Sequence, residues 1–233
     1  MTVRLATWNI HGFVGRGWRP DPERTLRVIA ALRADVLALQ EVDGRTHLGR
    51  RPHAFETLRE ALGGHVAEAR LFGPPGQEYG HMLWSRWPIR RAQVHLLPGP
   101  GREPRAAIDA LVDAPGRPLR VLAVHLGLRA RGRRNQAEAL AALVNPGEAS
   151  VLMGDLNEWR ADGPVHRELE PAWPAALRPP TFPARRPLLP MDRIHASAGA
   201  VLRRLDPPAE AASASDHLPL AAECEWVSPM PRG

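Results

Sequence analysis

The sequence predicts an α/β fold in which two β-sheets pack against each other. Short apolar runs typical of buried strands, such as residues 36–39 and 151–153, alternate with segments in which apolar residues recur at helical spacing. A glycine-rich dinucleotide fingerprint does not follow the first predicted strand, at residues 3–8, and this argues against a single doubly wound sheet.

The predicted elements continue along the whole chain. Asp21 is suited to cap a helix and Pro22 to begin it. Further helices are predicted at residues 55–62 and 131–144, and further strands at residues 82–84, 107–112, 119–125, 193–196 and 218–225. Between the last helix and the last strands lies a Pro-rich segment, residues 171–190, whose length is more typical of a functional loop than of a passive connection.

Length and composition predict one globular domain spanning residues 1–233. The chain has 233 residues, of which 44% are hydrophobic and 24% charged, so a substantial core is available. The formal net charge is +6, and all 31 basic residues are arginine. A positive field favours an anionic partner but does not distinguish nucleic acid, phospholipid headgroup and small phosphate ester.

The single cysteine and the hydropathy pattern indicate in which cellular compartment the protein is expected. Cys224 excludes an intramolecular disulfide and a Cys-rich zinc site, and its apolar surroundings favour a small buried residue over a reactive thiol. The chain contains neither a signal-peptide h-region at its start nor a run of apolar residues long enough to span a membrane. We therefore expect a cytoplasmic monomer without an integral membrane segment.

Polar residues with catalytic chemistry recur at the ends of the apolar strands. In chain order these residues are Asn9, His11, Glu41, His125, Asp155, Asn157, Asp216 and His217. Strand ends in layered α/β folds open onto the crevice where ligands bind. Buried carboxylates need a partner or a cation, and oxygen ligands suit Mg²⁺ or Mn²⁺ better than zinc.

Each of these signals is ambiguous when it is taken alone. Asn9 is equally suited to ending a strand by a side-chain turn, and His217 to a structural role. Gly154-Asp155-Leu156-Asn157 is the most informative segment, because glycine permits a tight turn and two polar side chains at i and i+2 share a face of extended chain. Together the residues predict a phosphate and metal site.

Ordered motifs carry a family resemblance. The segments Thr7-Trp8-Asn9-Ile10-His11-Gly12, Leu39-Gln40-Glu41-Val42, Tyr79-Gly80, Val124-His125-Leu126, Gly154-Asp155-Leu156-Asn157, Met191-Asp192-Arg193-Ile194 and Ser215-Asp216-His217 resemble those of the endonuclease/exonuclease/phosphatase superfamily. Segments around Leu126, Glu158 and Phe182 are similar to a small bacterial branch whose substrate is largely unassigned. The resemblance implies a DNase I-like, four-layered α/β sandwich with two mixed sheets flanked by helices.

The resemblance also implies residue roles. Glu41 would be the principal ligand of Mg²⁺ or Mn²⁺, aided by Asn9 and Asp216. The implied catalytic residues are His125, Asp155, Asn157, Asp192 and His217, with the general base left open between Asp155 and His217. The expected substrate-binding residues are His11, His81, Arg129, Arg134 and Trp159.

Departures from the motifs bear on the substrate. His11 stands where abasic-site nucleases of this superfamily tend to carry Asp or Asn, and His125 where they have Tyr. Nucleic-acid binding would favour aromatic residues interleaved with the arginines, and the sequence has few of them. We expect a metal-dependent phosphoesterase acting on a lipid headgroup or small phosphate ester. A nonspecific nuclease acting on DNA or RNA is the alternative, and a non-enzymatic module for anionic partners ranks third.

Overall fold

Two six-stranded β-sheets form the centre of the protein. The computed structural model describes residues 2–99, 103–144, 147–160 and 162–226. The strands are β1 (Thr2–Asn9), β2 (Val36–Asp43), β3 (His65–Phe72), β4 (Tyr79–Ser85), β5 (Ile89–Leu97), β6 (Arg105–Val112), β7 (Leu119–His125), β8 (Ser150–Asp155), β9 (Ala175–Leu177), β10 (Asp192–Ala196), β11 (Ala200–Leu205) and β12 (Leu220–Trp226). The first sheet has the order β11-β12-β1-β2-β4-β3, and the second has the order β5-β6-β7-β8-β10-β9.

Helices cover the outer faces of both sheets. The helices are α1 (Pro22–Leu32), α2 (Ala54–Leu62), α3 (Ala130–Ala141), α4 (Pro164–Leu169) and α5 (Ala211–Ala214). Buried residues of the first sheet, such as Trp8 and Leu39, pack with α1, α2 and α5, whereas Leu122 and Leu152 of the second sheet pack with α3 and α4. A third apolar cluster lies between the sheets. The order helix–sheet–sheet–helix confirms the predicted four-layered sandwich.

Strand register brings the polar strand ends to one edge of the sandwich. Alternate residues of a strand face the same side. Ala123 and Met153 belong to the cluster between the sheets, so His125 and Asp155, two residues further on, also face the space between the sheets. His125 pairs with Asp155 across the parallel β7–β8 ladder, and Asp155 pairs with Asp192 across β8–β10. Three predicted site residues therefore stand side by side.

Local sequence patterns predict most of the buried helices and strands. Asp21 caps α1, and its side chain accepts the hydrogen bond of Arg24 N over 2.9 Å. Cys224 is buried, as its sequence context predicts. The structure extends the predicted strands at residues 36–39 and 151–153 so that Glu41 and Asp155 lie within β2 and β8.

The sequence prediction missed β3, β5 and β11 as well as the short helices α4 and α5. β5 and β11 are edge strands with exposed arginines, so they lack the apolar run by which buried strands are recognised. The Pro-rich segment contains β9 and is not a continuous loop, and α3 ends at Ala141, before the predicted end at residue 144. Among the helices that the structure describes, none has the length and apolar character to cross a bilayer.

Candidate active site

A cavity of about 350 Å³ opens where the polar strand ends meet. Five residues predicted from the sequence line it: Glu41, His125, Asp155, Asn157 and His217. The remaining wall residues are Asp43, Arg45, Arg50, Tyr79, Glu103, Arg105, Leu128, Phe182 and Met191. The cavity thus combines carboxylates, imidazoles and three guanidinium groups, as a site for a charged ligand requires.

A bulge in β2 determines how Glu41 is presented. The register of β2 against β4 shifts between Gln40 and Val42, and Glu41 has a φ of 53°. Bulges redirect one side chain, and left-handed backbone at a non-glycine residue is costly and concentrates at functional sites. The neighbouring Gln40 is held by reciprocal hydrogen bonds with Thr7 at 3.1 and 3.2 Å, which anchor this part of β2 to β1.

Asn9 connects two carboxylates of the site. Its Nδ2 donates to Glu41 Oε1 and to Asp155 Oδ2, both over 3.0 Å. The backbone N–H of His11 donates to Asn9 Oδ1 over 3.0 Å, so the amide oxygen faces the loop and the amino group faces the carboxylates. Asn9 therefore presents a hydrogen-bond donor to Glu41 and Asp155 and holds them close together.

Asp155 lies at the centre of the cluster. Its Oδ1 accepts the backbone N–H of Asn157 over 2.8 Å, while its Oδ2 lies 3.6 Å from His125 Nε2 and 3.8 Å from His217 Nε2. Burial raises the pKa of Asp155 to about 7 against the opposing charge of His217, and the nearby Asp192 carboxylate acts in the same direction as burial.

The residue before Asp155 must be glycine, because a Cβ on Gly154 would lie 1.9 Å from Val124 O.

His217 and Asp192 form a buried pair. His217 Nδ1 lies 2.8 Å from Asp192 Oδ2. Burial opposes the charged imidazolium, but the charge and hydrogen bond of Asp192, followed by the charges of Asp155 and Asp216, raise the pKa of His217 to about 10. Trp8 Nε1 donates to His217 O over 2.9 Å and Phe182 packs against the imidazole with ring centroids 4.9 Å apart.

Arg105 determines which ring nitrogen of His125 carries the proton. Arg105 Nη1 lies 3.2 Å from His125 Nδ1. A guanidinium is a donor only, so Nδ1 accepts and the ring proton of neutral His125 is on Nε2, the atom that faces Asp155. Burial and the charge of Arg105 hold the pKa of His125 well below its usual range. His125 is thus a neutral hydrogen-bond donor toward the cavity.

The donor set is compatible with a hard divalent cation. Ligand atoms of Asp155, Asp192 and His217 lie within 4.8 Å of one another. Because His217 already donates to Asp192, these two residues are better suited to proton chemistry than to metal ligation. Glu41, whose carboxylate Asn9 holds beside Asp155, offers oxygens of the kind that Mg²⁺ and Mn²⁺ prefer.

The other predicted site residues lie at different distances from the cavity. Asp216 Oδ1 lies 3.4 Å from His11 Nδ1 at a partly exposed position, and His81 is buried in β4. Arg129 lines a neighbouring cavity that shares Glu103, Arg105 and Leu128 with the first.

Arg134 and Trp159 lie on the surface, outside the walls of both cavities. Arg134 pairs with Glu138 and Glu168 on the helical surface, and Trp159 is 55% exposed.

Sequence reasoning missed several residues of the cavity wall. Arg45 and Arg50 follow β2 in a loop, Arg105 begins β6, and Phe182 lies in the Pro-rich segment. That segment reaches the site because Leu218 N donates to Thr181 O over 2.9 Å and Ala184 N donates to Asp216 O over 2.6 Å. Two signals in the sequence point to some of them: Arg45 and Arg50 cluster just after the Glu41 motif, and Phe182 lies in a segment that resembles the bacterial branch.

Comparisons with known proteins agree with this architecture. A family model described as "Endonuclease/Exonuclease/phosphatase family" matches residues 6–217. The protein named "Uncharacterized protein YbhP" of Escherichia coli (strain K12) is 32% identical over 245 residues, which cover 95% of this chain and 96% of that protein.

Solved structures show the same fold. A crystal structure of an endonuclease/exonuclease/phosphatase from Beutenbergia cavernae DSM 12333 has a TM-score of 0.77 and 24% identity, covering 97% of this chain and 72% of that chain. The mannosyl-6-phosphatase Bt3783 of Bacteroides thetaiotaomicron VPI-5482 has a TM-score of 0.70 and 16% identity, covering 96% of this chain and 99% of that chain. At these identities the likeness concerns the fold.

Proposed function

Because this chain belongs to the endonuclease/exonuclease/phosphatase family, we propose that it is a metal-dependent hydrolase that cleaves a phosphoester with an activated water molecule. One observation carries the proposal. Asp155 Oδ2 is surrounded by Asn9 at 3.0 Å, His125 at 3.6 Å and His217 at 3.8 Å. A carboxylate surrounded by hydrogen-bond donors and linked through Asn9 to a second carboxylate is suited to water activation beside a cation.

Glu41 is the principal metal ligand in this proposal. Its carboxylate lies on the cavity wall and is oriented by the bulge and by Asn9. When bound, Mg²⁺ or Mn²⁺ would neutralise phosphoryl charge and lower the pKa of a water molecule. Asn9 holds Glu41 in place through its amino group, and the partly exposed Asp216 is a further candidate ligand.

Asp155 is the proposed general base. A base works best when its pKa lies near the operating pH, and burial raises the pKa of Asp155 to about 7. His217, whose pKa is raised to about 10 despite its burial because Asp192 stabilises the imidazolium, is charged at neutral pH and is suited to donate a hydrogen bond to a phosphoryl oxygen. His125, neutral with its proton on Nε2, contributes a second donor.

The proposed substrate is a small phosphate ester or a lipid headgroup. The cavity volume of about 350 Å³ suits one phosphate group with a short substituent. The structurally similar Bt3783 is named a mannosyl-6-phosphatase, which supports a phosphate ester of a small polar molecule. Arg134, an arginine expected to contact substrate, is paired with Glu138 and Glu168 on the surface, which reduces the support for an extended nucleic-acid groove.

Hydrolysis assays with defined substrates test the proposal. Purified protein with Mg²⁺ or Mn²⁺ should release 4-nitrophenol from an aryl phosphodiester or an aryl phosphomonoester, and Asp155→Asn should abolish the release. Glu60→Gln, at an exposed position of α2, is the matched control and should retain the rate. Headgroup release from phosphatidylglycerol vesicles and plasmid nicking are measured in parallel. Nicking without ester or headgroup hydrolysis would favour the nuclease alternative, and inactivity on all substrates would contradict the proposal.

A further inference from the structure

Two arginines approach one end of the cavity from the same loop. Arg45 and Arg50 flank a short helical turn, Thr46–Leu48, that directly follows β2. Arg50 N donates to Arg45 O over 3.2 Å, so the loop closes on itself, and both guanidinium groups lie beside Asp43 on the cavity wall. Thr46 Oγ1 donates to Gln77 Oε1 over 2.6 Å and anchors the loop to the chain before β4.

Arg45 alone satisfies the buried carboxylate of Asp43. Its Nε and Nη2 donate to the two carboxylate oxygens over 2.8 and 2.9 Å, and its backbone N–H donates to Asp43 Oδ1 over 3.0 Å. The guanidinium is held over the ring of Tyr79, with 4.4 Å between Cζ and the ring centroid. This bidentate, stacked arrangement is rigid and uses Nε and Nη2, so among the residues that the structure describes Nη1 of Arg45 remains as a donor for a ligand.

Arg50 adds a second positive charge that Asp43 does not require. Its Nε lies 3.4 Å from Asp43 Oδ2, yet this buried nitrogen makes no hydrogen bond to any residue that the structure describes. The side chain is 16% exposed, and Gly12 packs against it so closely that an added Cβ would lie 2.9 Å from Arg50 Cδ. A largely buried guanidinium is costly unless its charge is neutralised, so an anion that contacts the Arg50 side chain from the cavity would stabilise it.

We propose that Arg45 and Arg50 form a subsite for a second anionic group of the substrate, separate from the phosphoryl group that reacts. This inference rests on the proposed function and specifies its substrate class as a phosphate ester that carries a further phosphate or carboxylate. Arg45 and Arg50 face the single carboxylate of Asp43, while the nearby Glu103 is paired with Arg105 over 3.0 Å. One positive charge of the arginine pair is therefore left for an anionic group of the substrate to neutralise.

The position of Asp43 separates this subsite from the reacting group. Asp43 follows Glu41 by two residues on β2, which corresponds to about 6–7 Å of extended chain. Asn9 and Asp155 contact the Glu41 side of the cavity, whereas Tyr79 and Arg45 surround Asp43. A substrate with its two anionic groups about four or five bonds apart spans this distance.

Substrate selectivity provides a kinetic test. 4-Nitrophenyl 3-phosphonopropyl phosphate carries the second anion, 4-nitrophenyl 3-carboxypropyl phosphate carries a carboxylate instead, and 4-nitrophenyl propyl phosphate carries neither. We expect kcat/KM to be about 10- to 100-fold higher for the phosphonate than for the propyl ester, since charged hydrogen bonds contribute at this level. Arg50→Gln should remove most of this ratio, and Arg50→Lys should restore part of it. The carboxylate substrate distinguishes a general anion subsite from one selective for phosphate.

A matched control and a binding measurement complete the test. Arg90→Gln removes an arginine from the ion pair with Asp113, away from the cavity, and should leave the ratio as in the wild type. Calorimetry with propane-1,3-diyl bisphosphonate and with propylphosphonate measures the subsite without hydrolysis. If no substrate reacts but the preference for the bisphosphonate is lost in Arg50→Gln, the hydrolase proposal fails and the subsite stands. Equal kcat/KM values for the three esters, or an equal fall for all three in Arg50→Gln, would overturn the subsite.

Discussion

His217 Nδ1 and Asp192 Oδ2 lie 2.8 Å apart in the buried part of the site, and this contact joins the loop before β12 to the start of β10. Asp192 accepts the hydrogen bond, so His217 keeps its proton on Nδ1 and directs Nε2 toward Asp155. The charge of Asp192 is the main influence that opposes burial and raises the pKa of His217 to about 10. The pair therefore determines both the orientation and the charge of the imidazole.

Replacing Asp192 with Asn should lower kcat by about 10²- to 10⁴-fold, as for other histidines that lose an orienting carboxylate. The change keeps the size of the side chain but removes the charge that stabilises the imidazolium. Steady-state kinetics on an aryl phosphodiester measures the effect, and circular dichroism verifies the fold. A variant with near-normal kcat would show that the Asp192–His217 pair does not serve the reaction.

The stability of the metal-free protein should fall as the pH rises from 7 to 10. The pKa of His217 is raised from its ordinary value of 6.5 to about 10, so the folded state binds more protons than the unfolded chain within this interval. The stabilisation is complete below about pH 6.5 and is lost as the pH passes through 10. We expect a loss of at least about 1 kcal/mol in the free energy of unfolding, which urea denaturation with a chelator present can measure.

Asp192→Asn is the control for this pH dependence. Without the carboxylate, the pKa of His217 in the folded state should move toward its ordinary value, and the slope of stability between pH 7 and 10 should decrease. An equal slope in the wild type and the variant would mean that another group is responsible.

Arg105→Met should change the tautomer of His125 and lower kcat by about 10- to 100-fold. The substitution removes the donor that lies 3.2 Å from His125 Nδ1, so the ring proton is free to move to that atom. Nitrogen-15 NMR of the histidine side chains reports the tautomer directly: the wild type should show His125 protonated at Nε2 alone. Arg105→Lys, which keeps a donor, should preserve this signature, and a wild type protonated at Nδ1 would refute the assignment.

Residues of buried strand ends could be predicted from the sequence, and residues of irregular segments could not. Glu41, His125, Asp155 and His217 each adjoin an apolar run, so local patterning places them near one edge of the sheets. Phe182 reaches the site only because the Pro-rich segment pairs with the loop around Leu218, a tertiary contact that leaves no periodic signal.

Two further observations show that local sequence patterns do not predict where arginine side chains lie. The sequence predicts Arg129 and Arg134 at the site because they follow His125 closely, yet Arg134 pairs with acidic residues of α3 and α4. Arg105, at the start of β6, contacts His125 although nothing in the sequence near it indicated a site residue. The register of the sheet determines the direction of a side chain at a strand end, whereas a long arginine side chain turns toward the nearest carboxylate.

Metal dependence is decided by the initial rate of aryl phosphodiester hydrolysis, measured as Mg²⁺ or Mn²⁺ is returned to the chelated protein. The wild type should lose its activity on chelation and regain it with either ion, and Glu41→Gln should need a much higher metal concentration and reach a lower rate, since it loses the principal carboxylate ligand. Full activity after stringent chelation, or a normal metal dependence in Glu41→Gln, would contradict the proposed metal-dependent site.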